Sequence, residues 1–293
     1  MIDFTGLLQN AQMVLELRRN IEPYKFTHKL SDADKKEIGD LLKEILEPQC
    51  VSYTPSQPES ELVFGHKVRT LYKHASRPIV IAPLSEDHLH FFTIANPSEL
   101  FSAYDSLIAF EEELSRRFTY AFHDKFGYLT AGIDYAGAAL TVKSLLFAPL
   151  SDYCTLQFPP GMEFVLGRTS PPLFLTLCNI TSLGVTEKYL LETAKRGILE
   201  LQNEYRSAAR ELMKTSSLEI KDRAVRALVI VKNALCLTKK DLDEHLPHLF
   251  VGVQNGWVRN ITEAELFAVY AQALSSDPLA RLQHDFTSMT FSP

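Results

Sequence analysis

The stretch that most constrains the fold is Ser98–Phe122, a long amphipathic segment set between two β-rich runs. Apolar residues recur at Leu100, Tyr104, Leu107, Phe110 and Leu114, the spacing of one helix face. Ser98 stands where a cap is needed, with Glu99 close behind. Before this helix, His88–Ile94 reads as a strand bounded by Asp87 and by Asn96-Pro97. After it, Gly127 opens a series of short strands, interrupted by Pro-Pro-Gly at 159–161 and Pro-Pro at 171–172. The chain therefore mixes sheet and helix.

The remaining elements extend that pattern. Residues 4–19 place Phe4, Leu7, Leu8, Met13, Val14, Leu15 and Leu17 at irregular intervals, patchy for a helix. Ser31–Leu46 is a clearer helix: Ser31 and Asp34 form a capping box, and Ile38, Leu41, Leu42 and Ile45 make one stripe. Pro48–Pro58 reads as a loop, and Glu61–Tyr72 and Pro78–Pro83 as strands. Helices are expected at Thr186–Met213, Leu218–Leu237, Asp241–Phe250 and Thr262–Leu274. Strands and helices mix to about residue 213 and only helices follow, which divides the chain into 1–213 and 214–293 at Lys214–Ser217.

Charge and cysteine usage exclude several classes. The net charge of 30 − 36 = −6 leaves no basic excess for general nucleic-acid binding. Cys50, Cys154, Cys178 and Cys236 lie far apart without a CxxC pair, so a structural zinc site made by cysteines is not expected. Sparse thiols of this kind read as buried and reduced. No apolar run approaches the roughly 20 residues that span a bilayer, and MIDFTGLLQN has no leader pattern. A soluble, cytoplasmic protein is the expectation.

Three motifs are specific. Val14-Leu15-Glu16-Leu17-Arg18-Arg19-Asn20-Ile21 precedes Lys25-Phe26-Thr27-His28-Lys29-Leu30-Ser31-Asp32; Ser85-Glu86-Asp87-His88-Leu89-His90-Phe91 follows; and Phe126-Gly127-Tyr128-Leu129-Thr130 opens a stretch through Pro149. Together they resemble the protein arginine kinase (McsB) family of ATP:guanido phosphotransferases. That resemblance implies an α+β fold, a guanido-kinase-like antiparallel sheet flanked by helices and followed by a small all-helical C-terminal domain. It also implies roles. Glu86 falls on a carboxylate that the family uses on the guanidinium. Arg18, Arg19, His88, His90 and Arg168 fall on or near nucleotide-binding positions, as vestiges. The family's arginine after its histidine becomes His90, its cysteine beside the guanidinium becomes Gly132, and a phosphate-binding arginine becomes Thr141.

These replacements have a physical weight. Phosphoryl transfer is catalysed mainly by positioning and by cations that neutralise the phosphates. Arg does this with a planar fork that Thr and neutral His cannot reproduce. Losing one such donor costs roughly 3–4 kcal/mol. The expectation is a pseudokinase acting by binding, with no cofactor. Its expected partners are a McsA-like zinc-binding adaptor and Clp chaperone–protease components. The alternative is an active, Mg-ATP-dependent arginine kinase with a rearranged site. Leu249–Gly256 resembles a family stretch in the dimerisation domain, with Phe250 and Gln254 replacing its arginine and aspartate, so a homodimer through the C-terminal region is a further expectation. His88 and His90 are spaced as two metal ligands on one strand face, but no third ligand accompanies them. Gly132–Ala139 suits either amides approaching a phosphate or a tight packed turn, and the turn is the stronger reading.

Overall fold

The computed structural model describes residues 11–54, 70–156, 164–168, 173–234, 237–275 and 289–291. Most of the strand expected over Glu61–Tyr72, and the tail from 276 to 288, lie outside them. Ten strands and six helices are central: β1 (Gln12–Arg19), α1 (Asp32–Leu46), β2 (Cys50–Tyr53), β3 (Leu71–His74), β4 (Ile79–Pro83), β5 (Leu89–Ala95), α2 (Leu100–Ser115), β6 (Phe122–His123), β7 (Gly127–Tyr128), β8 (Leu140–Phe147), β9 (Phe164–Arg168), β10 (Phe174–Asn179), α3 (Glu187–Thr215), α4 (Ser217–Asn233), α5 (Lys239–Gln254) and α6 (Glu263–Ser275). Eight strands form one antiparallel sheet in the order β2-β3-β4-β5-β1-β8-β10-β9. β6 and β7 make a small hairpin of their own.

Residues 4–10 lie outside the described residues, and β1 explains the lack of clean periodicity over residues 12–19. It lies mid-sheet between β5 and β8, and both of its faces are covered. Met13, Leu15 and Leu17 enter a core with Ile38 and Leu42 of α1, Leu107 and Phe110 of α2, and Leu190 and Ile198 of α3. Val14 enters a second core with Phe92, Phe147 and Phe174, closed by Leu246 and Phe250 of α5 and Phe267 and Tyr270 of α6. A strand buried on both sides reads as a near-continuous apolar run, not as alternation. Residues 12–19 are therefore strand where the sequence suggested an irregular helix.

Two other expectations shift. α1 has the anticipated capping box, Ser31 Oγ accepting from Asp34 N while Asp34 takes the Ser31 N–H. α2, by contrast, starts at Leu100 with Glu99 as its cap and ends at Ser115 instead of reaching Phe122. The cause is tertiary pairing. Ala121 N donates to Asn20 O at 2.8 Å and Glu22 N to Thr119 O at 2.9 Å, so residues 119–121 extend alongside the exit of β1. The C-terminal region also holds one short ladder between β11 (Val258–Arg259) and β12 (Thr290–Phe291) besides its helices. Trp257 packs in a small cluster with Ile220, Val251 and Leu212.

Phe174 joins the second core to the sheet, its ring 5.9 Å from Phe267 and 5.6 Å from Phe147. Phe174→Ala is expected to cost about 3–5 kcal/mol, read from urea unfolding. A loss below about 1 kcal/mol would show that this helical layer adds little to the sheet.

Candidate functional site

At the end of β1 the apolar alternation gives way to charge. Because successive side chains alternate, Glu16 and Arg18 share the side of Val14 while Arg19 takes the side of Leu17. Arg18 stands opposite His90 on β5, and Glu16 opposite Thr141 on β8. The sheet register thus assembles residues from three segments of sequence.

Arg18 is buried and held on three sides. Its Nη1 donates to Glu86 Oε2 at 2.9 Å and its Nη2 lies 3.1 Å from Glu16 Oε1. Its guanidinium carbon is 3.8 Å from the centre of the Tyr135 ring, a stacking contact. Arg19 turns to the opposite side of the sheet. There its Nε donates to Glu111 Oε1 of α2 at 2.7 Å, its Nη1 donates to Arg18 O at 2.8 Å, and its guanidinium covers Tyr128 at 3.4 Å. Arg19 and Glu111 are both buried.

The two histidines have different jobs. His88 Nδ1 accepts the Ile21 N–H at 2.9 Å, which leaves Nε2 to donate to Lys25 O at 2.8 Å. Burial lowers its pKa, so it is a neutral ring tying two backbone segments together. His90 is fully buried, with Nδ1 2.7 Å from Glu16 Oε1. Its Nε2 takes the Asp87 N–H at 3.1 Å when the ring is neutral and faces Asp87 Oδ2 at 3.5 Å when it is protonated. Burial opposes that charge, but the hydrogen bonds with Asp87 and Glu16 outweigh it and raise the pKa. Glu16 mirrors this: burial works against its carboxylate, yet His90 and Arg18 hold it down at about 2. Asp87 is likewise lowered in spite of burial, its Oδ1 accepting from Asn20 Nδ2 and Ala131 N, each at 2.6 Å. His88 and His90 do not converge as metal ligands, and no cluster of three or more metal-ligating side chains occurs among the described residues.

The turn that carries Tyr135 is built by two glycines. Gly127 and Gly137 have φ of +70° and +92°, and the backbones of Tyr128 and Gly137 exchange two hydrogen bonds, each at 3.0 Å. A Cβ on Gly127 would lie 2.6 Å from Gly137 O, a position only glycine can occupy. Ser182 closes the turn, its N–H donating to Asp134 O and its Oγ to Tyr135 O. Gly132–Ala139 is thus a packed turn.

Arg168 ends β9, the sheet's far edge, in register with Leu175. Leu175 belongs to the first core, on the opposite side of the sheet from Arg18. Lys143 completes the charged group: its β8 position is paired with Val14 on one side and Cys178 on the other, and burial lowers its pKa. The assembly therefore sets four carboxylates (Glu16, Glu86, Asp87, Glu111) against two guanidiniums, one ammonium and one imidazole. It carries no cationic excess. Sequence reasoning passed over Glu16, Glu111, Tyr128 and Tyr135. The first two were signalled, Glu16 by interrupting the apolar MVLEL run and Glu111 by its place within the buried stripe of α2.

The family model for the ATP:guanido phosphotransferase C-terminal catalytic domain matches residues 19–150, which hold Arg19, Glu86, the histidines and the two-glycine turn. Over that part the chain is similar to the guanido phosphotransferases. Its curated relatives are protein-arginine kinases. One from Clostridium novyi (strain NT) is 25% identical over 285 residues, covering 86% of this chain and 82% of the relative. One from Clostridium botulinum (strain Eklund 17B / Type B) is 23% identical over 269 residues, covering 82% and 79%. Solved structures share the fold. A lombricine kinase aligns with a TM-score of 0.53 at 12% identity, over 69% of this chain and 67% of its own. The duplicated taurocyamine kinase from Schistosoma mansoni, with bound transition state analog components, aligns with a TM-score of 0.53 at 18% identity, over 81% of this chain and 38% of that longer one.

The linked charges predict a two-sided pH dependence. Glu16 is depressed from 4.5 to about 2, so its stabilisation is complete above pH 4.5 and lost as pH falls toward 2. His90 is raised above 6.5, so its stabilisation is complete below that pH and lost as pH rises through the folded value. Urea midpoints of the wild type should fall on both limbs, and Glu16→Gln should flatten both. Parallel profiles for the two proteins would contradict the network.

Proposed function

We propose that this chain is a non-catalytic member of the protein-arginine kinase family, working as a binding scaffold or regulator. The observation that carries this reading is the state of the cations at the family's nucleotide positions. Arg18 is paired with Glu16 and Glu86, Arg19 with Glu111, and His90 with Glu16 and Asp87. A nucleotide triphosphate needs donors that are free to neutralise it. Binding one here would mean breaking buried ion pairs and bringing phosphate charge beside Glu16 and Asp87. Removing the partner of a buried charge costs about 3–5 kcal/mol. The residues present therefore do not fit Mg-ATP.

A regulator of this kind would act on protein partners. A McsA-like zinc-binding adaptor and Clp chaperone–protease components are the partners we propose, in a quality-control setting, with self-association through the C-terminal helices. Among the described residues no helix is long and apolar enough to cross a membrane.

The test is a thermal-shift titration with Mg-ATP and Mg-ADP beside a nucleotide-binding protein-arginine kinase. A ligand at 100 times its Kd stabilises a fold by about 2.7 kcal/mol. No shift up to millimolar nucleotide is expected for this chain, and no acid-labile phosphate on added protein. A saturable shift, with phosphoarginine formed, would establish the kinase instead.

A further inference from the structure

The β6–β7 hairpin and its neighbouring loops leave an apolar face uncovered. Phe122 and Phe126 on the hairpin are 53% and 52% exposed, more than any other phenylalanine among the described residues. Ile133 of the two-glycine turn and Leu183 before α3 are exposed as well. Backbone pairing brings the three segments together: Tyr128 and Gly137 exchange hydrogen bonds at 3.0 Å, and Ala138 N donates to Ser182 O at 3.4 Å. Between the hairpin and the start of α3 lies an open groove of about 570 Å³, lined by Phe122, Phe126 and Leu183.

A single exposed apolar side chain needs no explanation, but several around one concave surface mark a contact. The groove is also built in advance. The Phe122 ring packs edge-on against Tyr128 at 5.3 Å, and the Phe126 ring lies 4.9 Å from His123. Gly127 and Gly137 fix the turn beneath them, so little ordering remains to be done when a partner arrives. The charges in the groove point to that partner. Lys125 of the hairpin and Glu187 in the first turn of α3 are the two charged side chains lining it among the described residues. Neither has an ion-pair partner among those residues. In a two-fold contact, residue i of one copy meets residue j of the other, and the reverse. A groove holding one unpaired cation and one unpaired carboxylate is therefore complementary to itself.

We propose that this groove is an interface for a second copy of the chain, the two related by a two-fold axis. Lys125 of each protomer meets Glu187 of the other, and the two hairpins bury Phe122 and Phe126 between them. The surface is separate from the C-terminal helices named above for self-association. It stands whether or not the chain binds nucleotide.

The test is sedimentation equilibrium of the full chain with reversed charges. Lys125→Glu and Glu187→Lys each set like charges across the contact twice, and each is expected to weaken association at least about tenfold. Mixing the two variants restores opposite charges at both positions, so the mixture is expected to associate as the wild type does. Carbodiimide coupling of mixed isotopically light and heavy wild-type chains is expected to give Lys125–Glu187 links that join a light peptide to a heavy one. Neither reversal removes a core contact, and circular dichroism checks that each variant is folded. Association unchanged by either reversal would overturn the proposal and leave self-association to another surface. So would single variants that do not recover on mixing. A wild type that stays monomeric up to about 1 mM would also overturn it and assign the groove to a different protein.

Discussion

A charge taken out of water must be matched where it lies, and this rule governs the end of β1. Arg18 and Arg19 are adjacent in sequence but point to opposite sides of a strand covered on both faces. Each side must then supply its own carboxylate. On one side Glu111 of α2 meets Arg19 at 2.7 Å. On the other Glu16 and Glu86 meet Arg18, with His90 and Asp87 behind them. Pairing at these distances in a poorly solvated setting tolerates little displacement, because an unmatched partner costs several kcal/mol. Helix, sheet and the loop before β5 are therefore locked to one another at this point.

The same lock shapes what the site can bind. The chain is similar to guanido phosphotransferases, and phosphoryl transfer depends on cations facing phosphate. Here the cations face carboxylates of the same chain. The site has a glycine-built turn and an aromatic wall, Tyr135, already stacked on Arg18. A scaffold can thus be retained while the balance of charge across it changes, since fold follows from the two apolar cores and function from a few polar side chains.

How much of this was legible in the sequence depends on which force decided each element. The capping box at Ser31, the stripe of α2 and the C-terminal helices rest on local pattern, and all of them form. β1 was obscured because burial on both faces erases the period-two signal. The end of α2 was misplaced because pairing of residues 119–121 with the exit of β1 overrides helix propensity. The motif at Glu86–His90 lies beside Glu16 and Arg18 in the structure. Its meaning changed with register: only the β1–β5 and β1–β8 ladders show that Glu16, Arg18 and His90 meet. Glu111 lies 92 residues from Arg19, a separation at which sequence carries no pairing signal beyond a charge inside an apolar stripe.

The arginines at the end of β1 are committed to partners within the chain. A double-mutant cycle on Arg19 and Glu111 measures this most directly, using Arg19→Met, Glu111→Leu and the double variant in urea unfolding. A coupling energy of about 2–3 kcal/mol is expected, with the double variant more stable than either single one. Additive effects, with coupling below about 0.5 kcal/mol, would contradict it and leave Arg19 free to serve another ligand.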